Sequence, residues 1–461
     1  MNLLKVVAST DWGADRETLL LIYRSHIRSI LDYGCIVYGS ARKSYLQMLD
    51  PIHHQALRLC LGAFKTSPIE SLYVEANEPR LQDRREKLAL QYALKIKANP
   101  TNIAFDTVYH ANFNILYERH TSKISSFGVR ISKILSQIQW DMTTIADFSY
   151  PQVPTWQLPK PYVDLELCKF GKSVTSPDIY LSYFNERQEI YSDHFPIYTD
   201  GSKDGDKVAA AAAIYNTQCR LVRLPSNSSI FSAELTALSL AFEYISEMDR
   251  VKKFVIYTDS LSAIQALQSR KWENPLIQKL LLTYTDFLKQ NCRVVLCWIP
   301  SHIGIKGNET VDGMAKAALS MNICPIIKVP YTDFYEAIKK YIKDQWQSRW
   351  TQTHNKLKEI KPNIGPNQRI RLARRDEVVL HRCRIGHSYL THAYLLKGED
   401  APFCIPCDQP LTLKHILVDC IDFAHIRDEY YTVHTIDQLF AFVPAINVIQ
   451  FLKEAGLYNK V

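Results

Sequence analysis

The sequence predicts an α/β domain, a mixed sheet flanked by helices, set between an N-terminal helical domain and a small helical C-terminal module. Three observations carry that prediction. From Ile197 to Ala317, β-branched and aromatic runs such as IYTD, KKFVIYTD and VVLCWIP alternate with segments of helical apolar period. Ahead of them, apolar residues recur at helical spacing with basic residues between. Behind them, CIPCDQPLTLKHILVDC gathers three cysteines and a histidine in seventeen residues.

At 461 residues the chain is about three times a typical domain, so two to four domains are expected. A hydrophobic share of 47% and a charged share of 22% exclude a wholly disordered or fibrous protein. No apolar run is long enough to span a membrane, and MNLLKVVASTDWGADRE turns polar too soon for a signal peptide. Eleven cysteines without dense spacing fit a reducing compartment better than a secreted scaffold. The expectation is a soluble intracellular protein with no membrane partner. A formal charge of +8 favours a polyanionic partner, the basic residues gathering in RRDEVVLHRCRIGH and in the N-terminal helices.

The first helix is read in ADRETLLLIYRSHIRSILDYG, with Asp15 as N-cap and a stripe of Leu19, Ile22, Tyr23, Ile27, Ile30 and Leu31. SYLQMLDPIHHQALRLCLGAF follows, divided at Pro51. Thr66 or Ser67 is expected to cap a short helix opened by Pro68, and PRLQDRREKLALQYALKI makes a longer basic one. Arg24, Arg28, Arg42, Lys43, Arg58, Arg84 and Arg85 can face nucleic acid or simply water. Residues 99–194 read as a connector: SSFGVRISKILSQIQW is a short helix, the prolines of PQVPTWQLPKPYVD impose extended chain, and Ser176 and Pro177 start a further helix.

In the central region, IYTDGSKDG is a strand that delivers Asp200 ahead of Gly201, and AAAAAIY and QCRLVRL pair with it as an antiparallel meander. SAELTALSLAFEYI is an amphipathic helix with Leu235, Leu238, Phe242 and Ile245 on one face and Glu234 near its first turn. KKFVIYTDS delivers Asp259 and Ser260 at another strand end. After VVLCWIP a Gly-rich loop carries His302 and leads into a helix that presents Asp312. A lone aspartate at a strand end more often caps a turn than binds a metal. Four gathered carboxylates, however, repel one another without a counter-charge, and oxygen-only ligation suits Mg²⁺ or Mn²⁺. Two such ions roughly 4 Å apart can activate a water on one side of a phosphodiester and stabilise the leaving oxygen on the other. His302 fits a proton shuttle.

Taken in order, TDGS, AEL, YTDS and SHxGxxGNExVD resemble the type 1 ribonuclease H family. The resemblance implies the ribonuclease H-like fold over residues 195–322 and metal-binding roles for Asp200, Glu234, Asp259 and Asp312, with His302 as the mobile-loop histidine. It also implies endonucleolytic hydrolysis of the RNA strand of an RNA/DNA hybrid, leaving a 3′-hydroxyl and a 5′-phosphate. The GNExVD helix fits this family better than exonucleases or integrases of the same broad fold. Ile230 and Phe231 stand where bacterial members carry polar Asn residues, and RKWENPLIQKLLLTYTDFLKQ reads as a turn and one helix rather than a basic, Trp-rich protrusion. Substrate grip is therefore expected to draw on neighbouring parts of the chain.

Residues 323–400 are helical. Phe334, Ile338, Tyr341, Ile342 and Trp346 make a packing stripe in TDFYEAIKKYIKDQWQSRWTQTHNKL, and His381, His387 and His392 are read as structural or facing nucleic acid. Within residues 401–461, Cys404, Cys407, His415 and Cys420 have CxxC, x7, H, x4, C spacing, which suits a closed tetrahedral Zn²⁺ site of structural kind. The terminal TIDQLFAFVPAINVIQFLKEAGLY is apolar but interrupted by Pro444, so terminal helices are expected rather than a membrane span.

Over most of residues 1–98, DYGCIVYGSARKSYLQMLDPIHHQALRLCLGAFKTSPIESLYVEANEPRL resembles the thumb and connection of reverse transcriptases of jockey-like non-LTR retrotransposons. RIGHSYLTHAYLL and the Cys/His cluster resemble the C-terminal region and zinc-knuckle-like tail of the same proteins. The resemblance implies the C-terminal part of a longer element-encoded protein, with other retroelement proteins as expected partners. No YxDD turn occurs in the sequence, so polymerase activity is not expected of this polypeptide. Two functions follow: a Mg²⁺-dependent ribonuclease H, or a non-catalytic nucleic-acid-binding remnant of a retrotransposon polyprotein.

Overall fold

The strand-forming runs of the central region pair into a six-stranded sheet of order β1-β6-β5-β2-β3-β4. Its strands are β1 (Tyr162–Asp164), β2 (Phe195–Asp204), β3 (Lys207–Ile214), β4 (Gln218–Leu224), β5 (Lys253–Thr258) and β6 (Arg293–Trp298). The structure is a computed structural model that describes residues 1–110, 114–119, 124–138, 140–149, 154–171, 175–214, 218–248, 250–368 and 371–461. It divides into two units, one of residues 1–90, 113–127 and 339–461, the other of residues 91–112 and 128–338.

The sheet belongs to the second unit. β2, β3 and β4 form the antiparallel meander read from the sequence, while β5 and β6 run parallel to β2 and to each other. Parallel neighbours need crossovers, supplied here by the helices Ile230–Glu247, Leu261–Gln268 and Pro275–Lys289. The run Ala209–Ala213 is fully strand and buried, its small side chains leaving room for helices close on both faces. Leu235, Leu238, Phe242 and Ile245 are all buried, as their spacing predicts. The segment read as a connector contributes directly to this core. β1 pairs with β6, and Leu167, Tyr180 and Phe184 pack with Tyr198, Tyr257 and Val295. Of the proline-rich stretch, residues 151–153 lie outside the described residues, and Thr155–Gln157 form a short 3₁₀ turn instead of extended chain.

The first unit is helical and holds two apolar clusters. Leu19, Leu20, Tyr23, Leu57, Leu61 and Leu72 pack with Trp346, Trp350 and Ile385, so the aromatic stripe after residue 334 is a packing surface. The second cluster gathers Ile416, Leu417, Val448, Ile449, Phe451 and Leu452. Two local expectations change. Asp15 does cap the first long helix, accepting from the Thr18 amide at 3.1 Å, but that helix passes into a π-helical turn over Tyr23–Arg28. The wider turn shifts the stripe, which leaves Ile30 72% exposed. Neither Thr66 nor Ser67 caps the helix Ile69–Ala76, because Pro68 itself occupies the N-cap and sets Ser67 one residue too early.

His381, His387 and His392 make structural contacts in this unit. His381 Nδ1 lies 2.8 Å from the buried Glu75 carboxylate, and the rings of His387 and His392 stack with centroids 3.7 Å apart. Among the described residues no single helix is long and apolar enough to cross a membrane. Ile436–Phe442 and Ala445–Glu454 are set 120° apart at the Pro444 break.

Candidate active site

Parallel register places the first two carboxylates. β2 and β5 pair through Thr199 and Thr258, so Asp200 and Asp259, each one residue further on, stand side by side where β2 leaves β5 and continues along β3 alone. The outer ends of parallel strands at such a change of direction are where ligands bind in open α/β sheets.

Glu234 reaches the same place because of Gly201. A Cβ at that position would lie 2.9 Å from both the Ala233 Cβ and the Glu234 backbone nitrogen, so glycine lets the helix Ile230–Glu247 rest on the strand. The helix is pinned at its start. Ser229 accepts from the Ser232 amide at 3.1 Å, and its own amide and hydroxyl donate to Asp333 at 2.9 and 3.0 Å. Gly307 performs a similar service for the helix Lys306–Ala318, where a Cβ would meet the Tyr198 ring at 2.3 Å.

Donor oxygens of Asp200, Glu234 and Asp259 all lie within 4.8 Å of one another. Asp312 is placed differently from this triad. Its carboxylate pairs with Lys316 at 2.7 Å and groups with His302 and Glu309, whose donor atoms share a second 4.8 Å cluster. His302 is exposed on its loop, in left-handed backbone at φ 57°.

Electrostatics report the crowding of negative charge. Burial first, then the charges of Asp259 and Asp312, pushes Asp200 up to about 7. Burial and the charges of Asp200 and Asp259 push Glu234 up to about 9, and burial likewise raises Asp259 against an opposing hydrogen bond from Asn308. A carboxylate triad held so reluctantly ionised fits a divalent cation. The sharpest sign is Glu234 Oε2, which is buried and has no hydrogen-bond partner. The donor set is oxygen only, suited to Mg²⁺ or Mn²⁺.

Several contributors to the site escaped the sequence reading. Asn308 sits inside the GNExVD pattern, which was its available signal. Trp298 donates from Nε1 to the Asp259 carbonyl at 3.0 Å, and Asp333 anchors the Glu234 helix from outside the motif set. Beside the triad a depression of about 530 Å³ is lined by Phe231, Ser262, Gln265, Ala266, Ser269 and Lys271. Phe231 and Ser262 lie three residues from Glu234 and Asp259, respectively.

The C-terminal cluster also converges. Cys404, Cys407, His415 and Cys420 bring one donor atom each within 4.8 Å of the others. Cys404 ends the first strand of a two-stranded hairpin and Cys407 lies in its turn, and Cys420 Sγ lies 3.8 and 3.7 Å from their sulfurs. That spacing matches the edge of a tetrahedron with Zn–S bonds of about 2.3 Å. Both ring nitrogens of His415 are buried without a partner, a costly state unless one of them binds a metal. Arg427, missed in the sequence, braces the site by donating to the Cys420 carbonyl at 3.1 Å.

Comparison with known families agrees with this geometry. The family model described as RNase H matches residues 192–320. The chain therefore carries an RNase H domain, and with it the hydrolase activity of that class.

Proposed function

We propose that the domain hydrolyses the RNA strand of RNA/DNA hybrids endonucleolytically, by a two-metal mechanism, within a retroelement-derived protein. The observation that carries the reading is the meeting of Asp200, Glu234 and Asp259 within 4.8 Å, with Glu234 Oε2 buried and unpaired. Divalent cations bound by these residues would supply positive charge to the scissile phosphate, to the attacking water and to the departing 3′ oxygen. Asp312, whose charge acts on Asp200 while its carboxylate pairs with Lys316, would complete the ligand set with the metals bound.

The chain's own groups do the rest. Asn308 and the Gly201 amide orient the carboxylates by hydrogen bonding. His302, exposed beside Glu309 and Asp312, takes the proton released as water attacks and passes it to solvent. The depression beside the triad offers hydroxyl, amide and ammonium donors for a sugar–phosphate backbone, with Phe231 as an apolar wall in place of polar minor-groove contacts. The thumb-like match over residues 1–98 and the Cys/His tail support the retroelement origin, with a structural Zn²⁺ holding the C-terminal module and other retroelement proteins as partners.

The test is cleavage of an RNA/DNA hybrid in Mg²⁺, with single-stranded and duplex RNA as controls. Asp259→Asn keeps the shape of the side chain and removes its charge. Loss of hybrid cleavage by about 10³-fold or more in a folded variant is expected; undiminished cleavage would sink the assignment.

A further inference from the structure

The carboxylate site carries a cation of its own. Lys316 stands one helical turn after Asp312 in the helix Lys306–Ala318, and its Nζ lies 2.7 Å from Asp312 Oδ2. Pairs at this spacing are ordinary on helix surfaces, where the lysine answers a single carboxylate. Lys316 answers more than one. The charges of Asp200, on strand β2, and of Glu309 also act on it, and its charge acts in turn on Asp200. The ammonium therefore serves carboxylates from two elements, the sheet and the helix that rests on it.

This arrangement bears on the one carboxylate that stands apart. Asp200, Glu234 and Asp259 bring donor oxygens within 4.8 Å of one another, whereas Asp312 shares a separate cluster with His302 and Glu309. A fourth carboxylate beside three others is repelled, and the ammonium at 2.7 Å supplies the counter-charge that keeps Asp312 ionised near them. A divalent cation drawn to Asp312 meets that ammonium as a like charge, so the two compete for one carboxylate. The lysine is free to yield. Its side chain is 58% exposed, against 18% for Asp312, and an exposed ion pair on a flexible stem is weakly held.

We propose that Lys316 is a built-in counter-ion, which holds Asp312 in the cation-free site and swings out to solvent when the second divalent cation binds. Lys316 is thus a positioning residue that sets the affinity for that cation. The inference rests on the two-metal reading of the carboxylates.

The test is a calorimetric titration of the full chain with Mn²⁺, beside the Mg²⁺ midpoint of hybrid cleavage. Lys316→Gln removes the charge at an exposed position; the weakest Mn²⁺ step should tighten about five-fold or more and the Mg²⁺ midpoint should fall with it. Lys316→Arg keeps the charge and should bind Mn²⁺ no more tightly than the parent. Lys289→Gln removes the same charge from a comparable helix pair, Lys289–Asp286 at 2.9 Å. Lys289 precedes β6, whose start pairs with the start of β5, at the far end of the sheet from Asp259. Its loss should change Mn²⁺ affinity less than about two-fold. If Lys316→Gln melts well below the parent in EDTA, Lys316→Met is read in its place. A parent chain that takes up no divalent cation overturns the carboxylate reading itself. A parent that binds Mn²⁺, with affinities unchanged in Lys316→Gln, overturns this inference alone. Equal tightening in Lys289→Gln, or tightening in Lys316→Arg, overturns it as well, since neither follows from a single ammonium competing at Asp312.

Discussion

Asp200 and Asp259 stand one residue beyond the Thr199–Thr258 pair on neighbouring parallel strands, and this shared register sets two carboxylates next to each other. Glu234 joins them only because Gly201, adjacent to Asp200, lets a helix settle onto β2. Gly201→Ala is therefore an active-site substitution without a functional group. The new methyl, 2.9 Å from backbone, has to push the helix away, at a cost of about 1–3 kcal/mol. Hybrid cleavage should fall about ten-fold or more while Asp200 and Asp259 remain intact. Wild-type rates in this variant would mean that Glu234 does not depend on the close approach.

Burial and mutual repulsion also predict how the domain responds to pH. Asp200 rises from 3.8 to about 7 and Glu234 from 4.5 to about 9, so the folded state holds more protons than the unfolded state between those limits. Their contribution to stability is complete below pH about 4 and is lost as pH climbs towards 9. Melting temperature in EDTA should decline over that window, and Mg²⁺ should restore it increasingly at the alkaline end, where it no longer competes with protons. Asp200→Asn should flatten both trends. A Mg²⁺ effect that is the same at pH 5 and pH 8.5 would contradict the proposed site.

What could be read in the sequence was what is local. The β-branched and aromatic runs that carry Asp200 and Asp259 can be read locally, although β2 runs on past Asp200 to Asp204 where the sequence suggests a strand end, and the zinc spacing is contained in seventeen residues. β1, three residues long, has no period to detect, and its place depends on β6 more than a hundred residues later. Asp333 caps a helix 104 positions before it, and Glu75 meets His381 across 306. Such pairings are tertiary choices. The π-turn at Tyr23–Arg28 likewise shifts an apolar stripe that sequence period alone places on a straight helix.

At the C-terminal cluster, sulfurs 3.7–3.8 Å apart and a buried histidine with both nitrogens unpaired predict one zinc per chain. Elemental analysis should find it, and His415→Ala should lower the content while exposing the Ile416–Leu417 core to proteolysis. Replacement by Co²⁺ should give the intense visible bands of a tetrahedral thiolate site. Colourless Co²⁺-loaded protein would argue against tetrahedral ligation.

Glu75 offers the opposite pH dependence in the helical unit. Fully buried, it is held well below 4.5 despite desolvation, by the Arg384 guanidinium at 2.8 Å and by His381 at 2.8 Å. A carboxyl whose folded value is depressed contributes stability above its unfolded value and loses it as pH falls through the folded one. Acid should thus weaken this unit starting below pH about 4.5. Glu75→Gln removes the charge but leaves Arg384 and His381 in place around a neutral amide. Breaking a buried pair from one side costs about 3 kcal/mol, so the urea midpoint at pH 7 should drop clearly and its acid dependence should shrink. If the variant unfolds at the same urea concentration as the parent, the Glu75 pairs contribute no net stability, and the acid sensitivity of the unit has another source.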